Sequence, residues 1–154
     1  MKRESDRITK ELGFSLLAEG KTIRIRADGY SMFPAIKAGY IIYIEPVTDL
    51  YPGDVIAWKR ETGFVVHRLV KAANEENQAY FITRGDSCAN EDQPVKKNQV
   101  AGKVINIEST SGRKRKIEKK KLSKFDYIYN RLLVWFIIRF KRVWNIGKQI
   151  FNEQ

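Results

Sequence analysis

Six short runs of alternating or β-branched residues constrain this chain more than any other feature. KTIRIRAD (21–28) sets Ile23 and Ile25 on one side and Arg24 and Arg26 on the other, the period of a half-buried strand. YIIYIE (40–45), DVIAWKR (54–60), GFVVHRLVK (63–71), AYFITR (79–84) and VAGKVINIE (100–108) are rich in β-branched and aromatic residues. Turn signals separate them at Tyr51-Pro52-Gly53-Asp54, Glu61-Thr62-Gly63, Asn74–Asn77 and Gly85–Asp92. Strands at this spacing predict a mostly β fold, a small antiparallel β-barrel or sheet. A short N-terminal helix is expected over 4–18, where Ile8, Leu12 and Phe14–Leu17 give an apolar side and Gly20 a stop.

After residue 108 the composition changes. Of the formal net charge of +11, residues 1–112 hold only +1 (16 Lys/Arg, 15 Asp/Glu), and residues 113–154 hold +10 (13 Lys/Arg, 3 Asp/Glu). Four segments follow from this: an N-terminal helix (1–20), a β domain (21–108), a basic linker (109–121) and an amphipathic basic, aromatic helix (122–154). Ser123 is a candidate cap for that helix. Phe125, Tyr129, Leu132, Phe136, Phe140, Val143 and Ile150 fall on one of its faces.

Several classes drop out. One cysteine (Cys88) and one histidine (His67) exclude an internal disulfide, a Cys-built zinc site and a multi-His metal site. No metal or organic cofactor is expected. The start, MKRESDRITKELGF, is too charged for a secretory signal peptide. The longest uncharged apolar run, Leu132–Ile138, is seven residues, against about 20 for a spanning helix. These points suggest a chain that is cytoplasmic or peripheral to a membrane.

The chemistry concentrates in Gly29-Tyr30-Ser31-Met32-Phe33-Pro34. A serine in a tight bend can project its hydroxyl, with its own backbone N–H beside it as an oxyanion donor. Alone, such a serine is more often a turn residue or a helix cap. Downstream, however, stand Gly53-Asp54-Val55-Ile56, then Val65-Val66-His67-Arg68-Leu69-Val70, Arg84-Gly85-Asp86, Asp92 and Gly102-Lys103-Val104. Over residues 22–106 this ordered set resembles the signal peptidase I family and its relatives, the self-cleaving repressors of the SOS response (S24/S26-type serine peptidases). Those families use either a Ser–Lys dyad or, as in the archaeal and endoplasmic-reticulum types, a histidine in place of the lysine. His67 stands at the base position, so the chain looks like the histidine type.

The resemblance implies Ser31 as nucleophile and His67 as general base, with Asp86 matching the aspartate of the family's G-D motif and Asp92 the acidic position after it. Either could orient the ring. Gly29, Tyr30, Met32 and Pro34 complete the motif, as oxyanion and substrate contacts or as packing for the bend. The physical chemistry agrees. A serine hydroxyl needs a base that titrates near the working pH, and histidine does so at about 6.5. An adjacent carboxylate then stabilises the imidazolium and fixes its tautomer. Strand parity puts His67 on a face with Val65 and Leu69. Lys71 and Lys59 are the competing bases, whereas Arg68 is too basic to accept a proton. Trp58 reads as core or sheet surface, and Cys88 as a loop thiol near the site.

The chain departs from the family pattern in several places. Gly29 stands where signal peptidases often carry a hydroxyl residue, and Gly39-Tyr40 where a G-D is common. A transmembrane anchor, a DNA-binding domain and an Ala-Gly self-cleavage site ahead of Ser31 are not seen. The expected function is a small serine endopeptidase that cleaves an extended peptide, a leader or signal peptide among the options. The alternatives are a catalytically silent binding or scaffold protein on the same fold, or a membrane- or polyanion-binding module built on the tail. Three partners fit the tail: an anionic membrane, the chain's own body or a second copy, and nucleic acid. Interleaved aromatics and cations favour the membrane, with Trp135, Phe136, Arg139, Lys141, Arg142 and Trp144 as its contacts. Nucleic acid is the least supported, because no recognised nucleic-acid fold accompanies the pattern.

Overall fold

The computed structural model describes residues 11–46, 49–60, 63–75 and 78–151, with the backbone alone at 75, 78 and 143–151. Within the first expected helix, residues 11–18 are helical (α1), and 4–10 lie outside the described residues. Leu17 is buried in the core, Phe14 stacks on Phe64 with ring centroids 3.9 Å apart, and Gly20, at φ +82°, follows the last turn.

All six expected runs form strands: β1 (Ile23–Arg26), β2 (Ile41–Glu45), β3 (Val55–Arg60), β4 (Gly63–Glu75), β5 (Gln78–Arg84) and β7 (Val100–Glu108). Two short strands join them, β6 (Val95–Lys96) and β8 (Lys114–Lys116). Every pairing is antiparallel, in the order β1-β2-β7-β3-β4-β5-β6, with β8 on β7. The chain is therefore mostly β, as the periodicity implied.

Central position explains the composition of β3. Val55 and Ala57 pack into one core cluster with Leu17, Ile23, Met32, Ile36, Ile42, Ile44, Val104 and Ile107, and Ile56 and Trp58 pack into a second with Leu69, Phe81 and Val95. A strand buried on both faces must be apolar throughout, and this one is apolar until Lys59. Trp58 is accordingly core.

The segment 109–121 is not a free linker. β8 pairs with the end of β7, the Ile117 N–H donates to the Ile105 carbonyl, and the Ile117 side chain packs against the first core cluster. Its lysines and arginines face solvent while this one apolar residue turns inward. A charge run dominated by exposed side chains conceals such a strand in the sequence.

The last helix, α2 (Lys124–Phe151), begins with a capping box. The Ser123 hydroxyl accepts from the Asp126 N–H at 3.2 Å, and the Asp126 carboxylate accepts from the Ser123 N–H at 2.8 Å. No described helix is long and apolar enough to cross a membrane.

Candidate active site

Ser31 lies in the turn that follows β1. The Phe33 N–H donates to the Tyr30 carbonyl at 2.9 Å and the Ile36 N–H to the Met32 carbonyl at 2.9 Å, closing two overlapping turns. Met32 and Ile36 anchor that bend, with 4% and 2% of their surface exposed. The Met32 side chain therefore packs the bend. Ser87 clamps the bend from the opposite loop: its N–H and its hydroxyl both donate to the Ser31 carbonyl, at 2.9 and 3.1 Å, and the hydroxyl also reaches the Tyr30 carbonyl at 2.6 Å. Among the described residues, neither the hydroxyl nor the N–H of Ser31 has a hydrogen-bond partner.

His67 comes from β4, opposite Ile56 of β3, and is buried. Its Nδ1 lies 2.6 Å from Asp92 Oδ2, and the Thr83 hydroxyl donates to that same oxygen at 2.6 Å. The Asp92 N–H in turn donates to the Thr83 carbonyl at 2.8 Å. β5 thus holds the carboxylate in place and the carboxylate holds the ring. Burial disfavours the imidazolium, but hydrogen bonds and charge from Asp92 and Cys88 outweigh it and push the His67 pKa up to about 9. Burial also disfavours the Asp92 carboxylate, and the bonds from His67 and Thr83 nevertheless hold it below the usual carboxylate range.

Asp86 has another employment. Arg68 grips it with two parallel bonds of 2.8 Å, Nε to Oδ1 and Nη2 to Oδ2, in a buried fork. Arg68 Nη1 also donates to the carbonyls of Gly53 and Glu118, at 2.9 and 3.0 Å. Of the two aspartates that could orient His67, Asp92 is the one in contact, and Asp86 is held by Arg68, whose bonds join four segments. Asp54 and Lys103, from the Gly53-Asp54 and Gly102-Lys103 motifs, meet in an ion pair at 2.9 Å. Those motif residues brace strands rather than line the site. Lys71 is exposed and lies beyond a register shift between Leu69 and Lys71, which breaks the parity it would need to join His67. Lys59 is also exposed and hangs over the Phe14 ring, 5.1 Å from its centroid.

Gly85 is the point of convergence. A Cβ built there would meet Cys88 Sγ at 2.6 Å, the Ser31 carbonyl oxygen at 2.7 Å and His67 Nε2 at 3.0 Å. The Ser31 backbone, the second ring nitrogen of His67 and the Cys88 thiol all crowd one small volume that only glycine leaves open. Cys88 was expected near the site as a loop thiol, but nothing in the sequence marked Gly85 beyond its motif or Ser87 as the clamp; both depend on how loop 85–92 folds back onto the Ser31 bend.

Ser31 and His67 also share the wall of a cavity of about 1020 Å³, bounded by Leu12, Gly13 and Leu16 of α1, by β1, and by Phe64–His67 of β4. Gly29 lies on that wall, whereas Tyr30 meets α2, whose Lys141 donates to its hydroxyl at 2.7 Å. Lys141, expected among the membrane contacts, is thus engaged with the body. It falls on the helix face of Tyr127 and Asn130, which are buried. Asn130 donates to the Asp86 carbonyl at 3.0 Å, and Tyr127 lies under the Arg84 guanidinium, 3.7 Å from the ring centroid. Arg84 holds the Cys88 and Ala89 carbonyls. Trp135 and Phe136 stand exposed as an edge-to-face pair, and Arg139 and Arg142 are exposed. The Trp144 side chain lies outside the described residues. Among the described residues no cluster of His, Cys, Asp and Glu could hold a metal ion.

A search of curated proteins returned no match. The family model described as Peptidase S24-like matches residues 3–105, which span α1, the Ser31 bend, His67, Asp92 and the sheet through most of β7. With two thirds of its length matched, the chain belongs to the S24-like peptidase family.

Proposed function

We propose that the chain is a serine endopeptidase of the histidine type, with Ser31 as nucleophile, His67 as general base and Asp92 as the carboxylate that orients it. The observation that carries this reading is the Asp92–His67 bond at Nδ1, which leaves Nε2 facing the volume it shares with the Ser31 bend. In the reaction the Ser31 oxygen bonds to the scissile carbonyl carbon while its proton passes to Nε2. The peptide C–N bond then breaks as His67 returns that proton to the leaving amine. Water, deprotonated by the same ring, releases the acyl group. The unpartnered Ser31 N–H is suited to the developing oxyanion.

The substrate is an extended peptide. Among the described residues β1 pairs with β2 alone, and β4 pairs with β5 from Arg68 onward, so β1 and the first part of β4 both present unpaired strand edges along the cavity that contains Ser31 and His67. A peptide strand can add its backbone hydrogen bonds there. The test is cleavage of a peptide library, together with labelling by a serine-directed phosphonate probe, in wild type, Ser31→Ala and His67→Ala. Both variants are expected to lose cleavage; Ser31→Ala should keep the wild-type melting curve, whereas His67→Ala, which strips Asp92 of its partner, should stay folded with a lowered melting temperature. Undiminished cleavage by Ser31→Ala would exclude the assignment.

A further inference from the structure

α2 has two faces with different tasks. Tyr127, Asn130 and Lys141, spaced at helical periods, bind the loop that carries Asp86 and Cys88 and the bend that carries Ser31. The opposite side carries Phe125, Ile128, Tyr129, Leu132, Trp135, Phe136 and Phe140, which are between 49% and 83% exposed. At 3.6 residues per turn these seven side chains occupy an arc of roughly 140° pointing away from the body. An apolar stripe of this size on water needs a cover.

Charge identifies the cover. Lys124, Arg131 and Arg142 line one flank of the stripe, Arg139 lies within it, and all four are exposed. With the exposed cations of 113–121, they make up eleven of the thirteen cations that give residues 113–154 their net charge of +10. A second copy of this helix would bring like charges together, and a neutral apolar partner would leave the flanks unmatched. A surface with an apolar interior and anionic headgroups satisfies both features, and tryptophan and tyrosine favour that boundary.

We infer that α2 lies in the headgroup layer of an anionic membrane, its outer stripe in lipid and its inner face still holding the site loop. Membrane binding itself needs no peptidase activity. Its consequence, that the Ser31 site works on peptides at a membrane surface, rests on the peptidase reading above.

The experiment is sedimentation of the full chain with phosphatidylglycerol and with phosphatidylcholine vesicles. Wild type and Ser31→Ala are expected to bind phosphatidylglycerol equally and phosphatidylcholine weakly. The combined variant Phe125→Ser, Phe136→Ser and Phe140→Ser should lose about ten-fold or more in partitioning. Arg131→Glu with Arg142→Glu should lose selectivity for the anionic lipid, with circular dichroism confirming that both variants keep the helix. No binding of wild type to phosphatidylglycerol overturns the inference. So does binding by the triple phenylalanine variant equal to that of wild type, which would mean a purely electrostatic polyanion contact. A wild-type dimer that the triple phenylalanine variant dissociates, without vesicle binding, would assign the stripe to self-association instead. If Ser31→Ala binds vesicles but retains cleavage, the peptidase assignment fails while the membrane inference stands.

Discussion

Asp92 Oδ2 lies 2.6 Å from His67 Nδ1 and takes a second bond of 2.6 Å from the Thr83 hydroxyl, so one oxygen links the imidazole to β5. Replacement Asp92→Asn keeps the shape but removes the charge and presents Nδ1 with an altered donor pattern. The expected loss in kcat/KM is about 10³- to 10⁴-fold, by analogy with removal of an orienting carboxylate elsewhere. His67 is the only histidine, so its ring resonances are assigned without ambiguity and its titration should move to lower pH in the same variant. An unchanged titration would show that Asp92 does not control the ring.

A ring that titrates at about 9 is mostly protonated at neutral pH, and a general base must be neutral. Cleavage is therefore expected to rise from pH 7 toward pH 9. Stability runs the other way. The folded-state pKa lies above the unfolded value of about 6.5, so the native chain binds more protons between those values. The stabilisation from charged His67 is complete below about pH 6.5 and fades as pH rises through 9. Denaturant midpoints measured in parallel with rates should cross in this sense; a rate plateau already reached at pH 7 would contradict the elevated pKa.

Cys88 is one of the groups that raise the His67 pKa, through a hydrogen bond and through charge. Removing the thiol by Cys88→Ala should lower that pKa and shift the rising limb of the pH–rate profile toward neutrality. Activity at pH 7 is then expected to increase. A loss of all activity in Cys88→Ala with Ser31→Ala unaffected would instead make the sulfur the nucleophile.

The two aspartates should separate by readout. Asp86→Ala leaves the buried Arg68 guanidinium without its carboxylate and should cost about 3–5 kcal/mol of stability. Replacing both partners together, Arg68→Met with Asp86→Leu, should recover much of that loss. Asp92→Asn should change rate far more than stability. Urea unfolding of the three variants distinguishes these outcomes.

The strands were legible because each buries at least one face, and burial writes itself into alternation or into apolar runs such as VIAW in β3. The capping box of α2 was legible for the same local reason: Ser123 and Asp126 are three residues apart. The choice between Asp86 and Asp92 was not, because it depends on which way the turn after β5 folds, and both residues follow that strand closely. β8 was hidden because its side chains point to water and only Ile117, the residue after it, packs against the core. The apolar stripe of α2 was legible, but its docked face was not, because Tyr127 and Asn130 form that face while Phe125 and Phe136 point out.

Gly85 ties folding and chemistry to one codon. A methyl group there would displace the Ser31 backbone, the His67 ring and the Cys88 thiol at once, and a larger side chain would intrude further. At this position even the smallest added side chain disturbs the Ser31 bend, the His67 ring and the Cys88 thiol together, so the geometry of all three hangs on a missing methyl group.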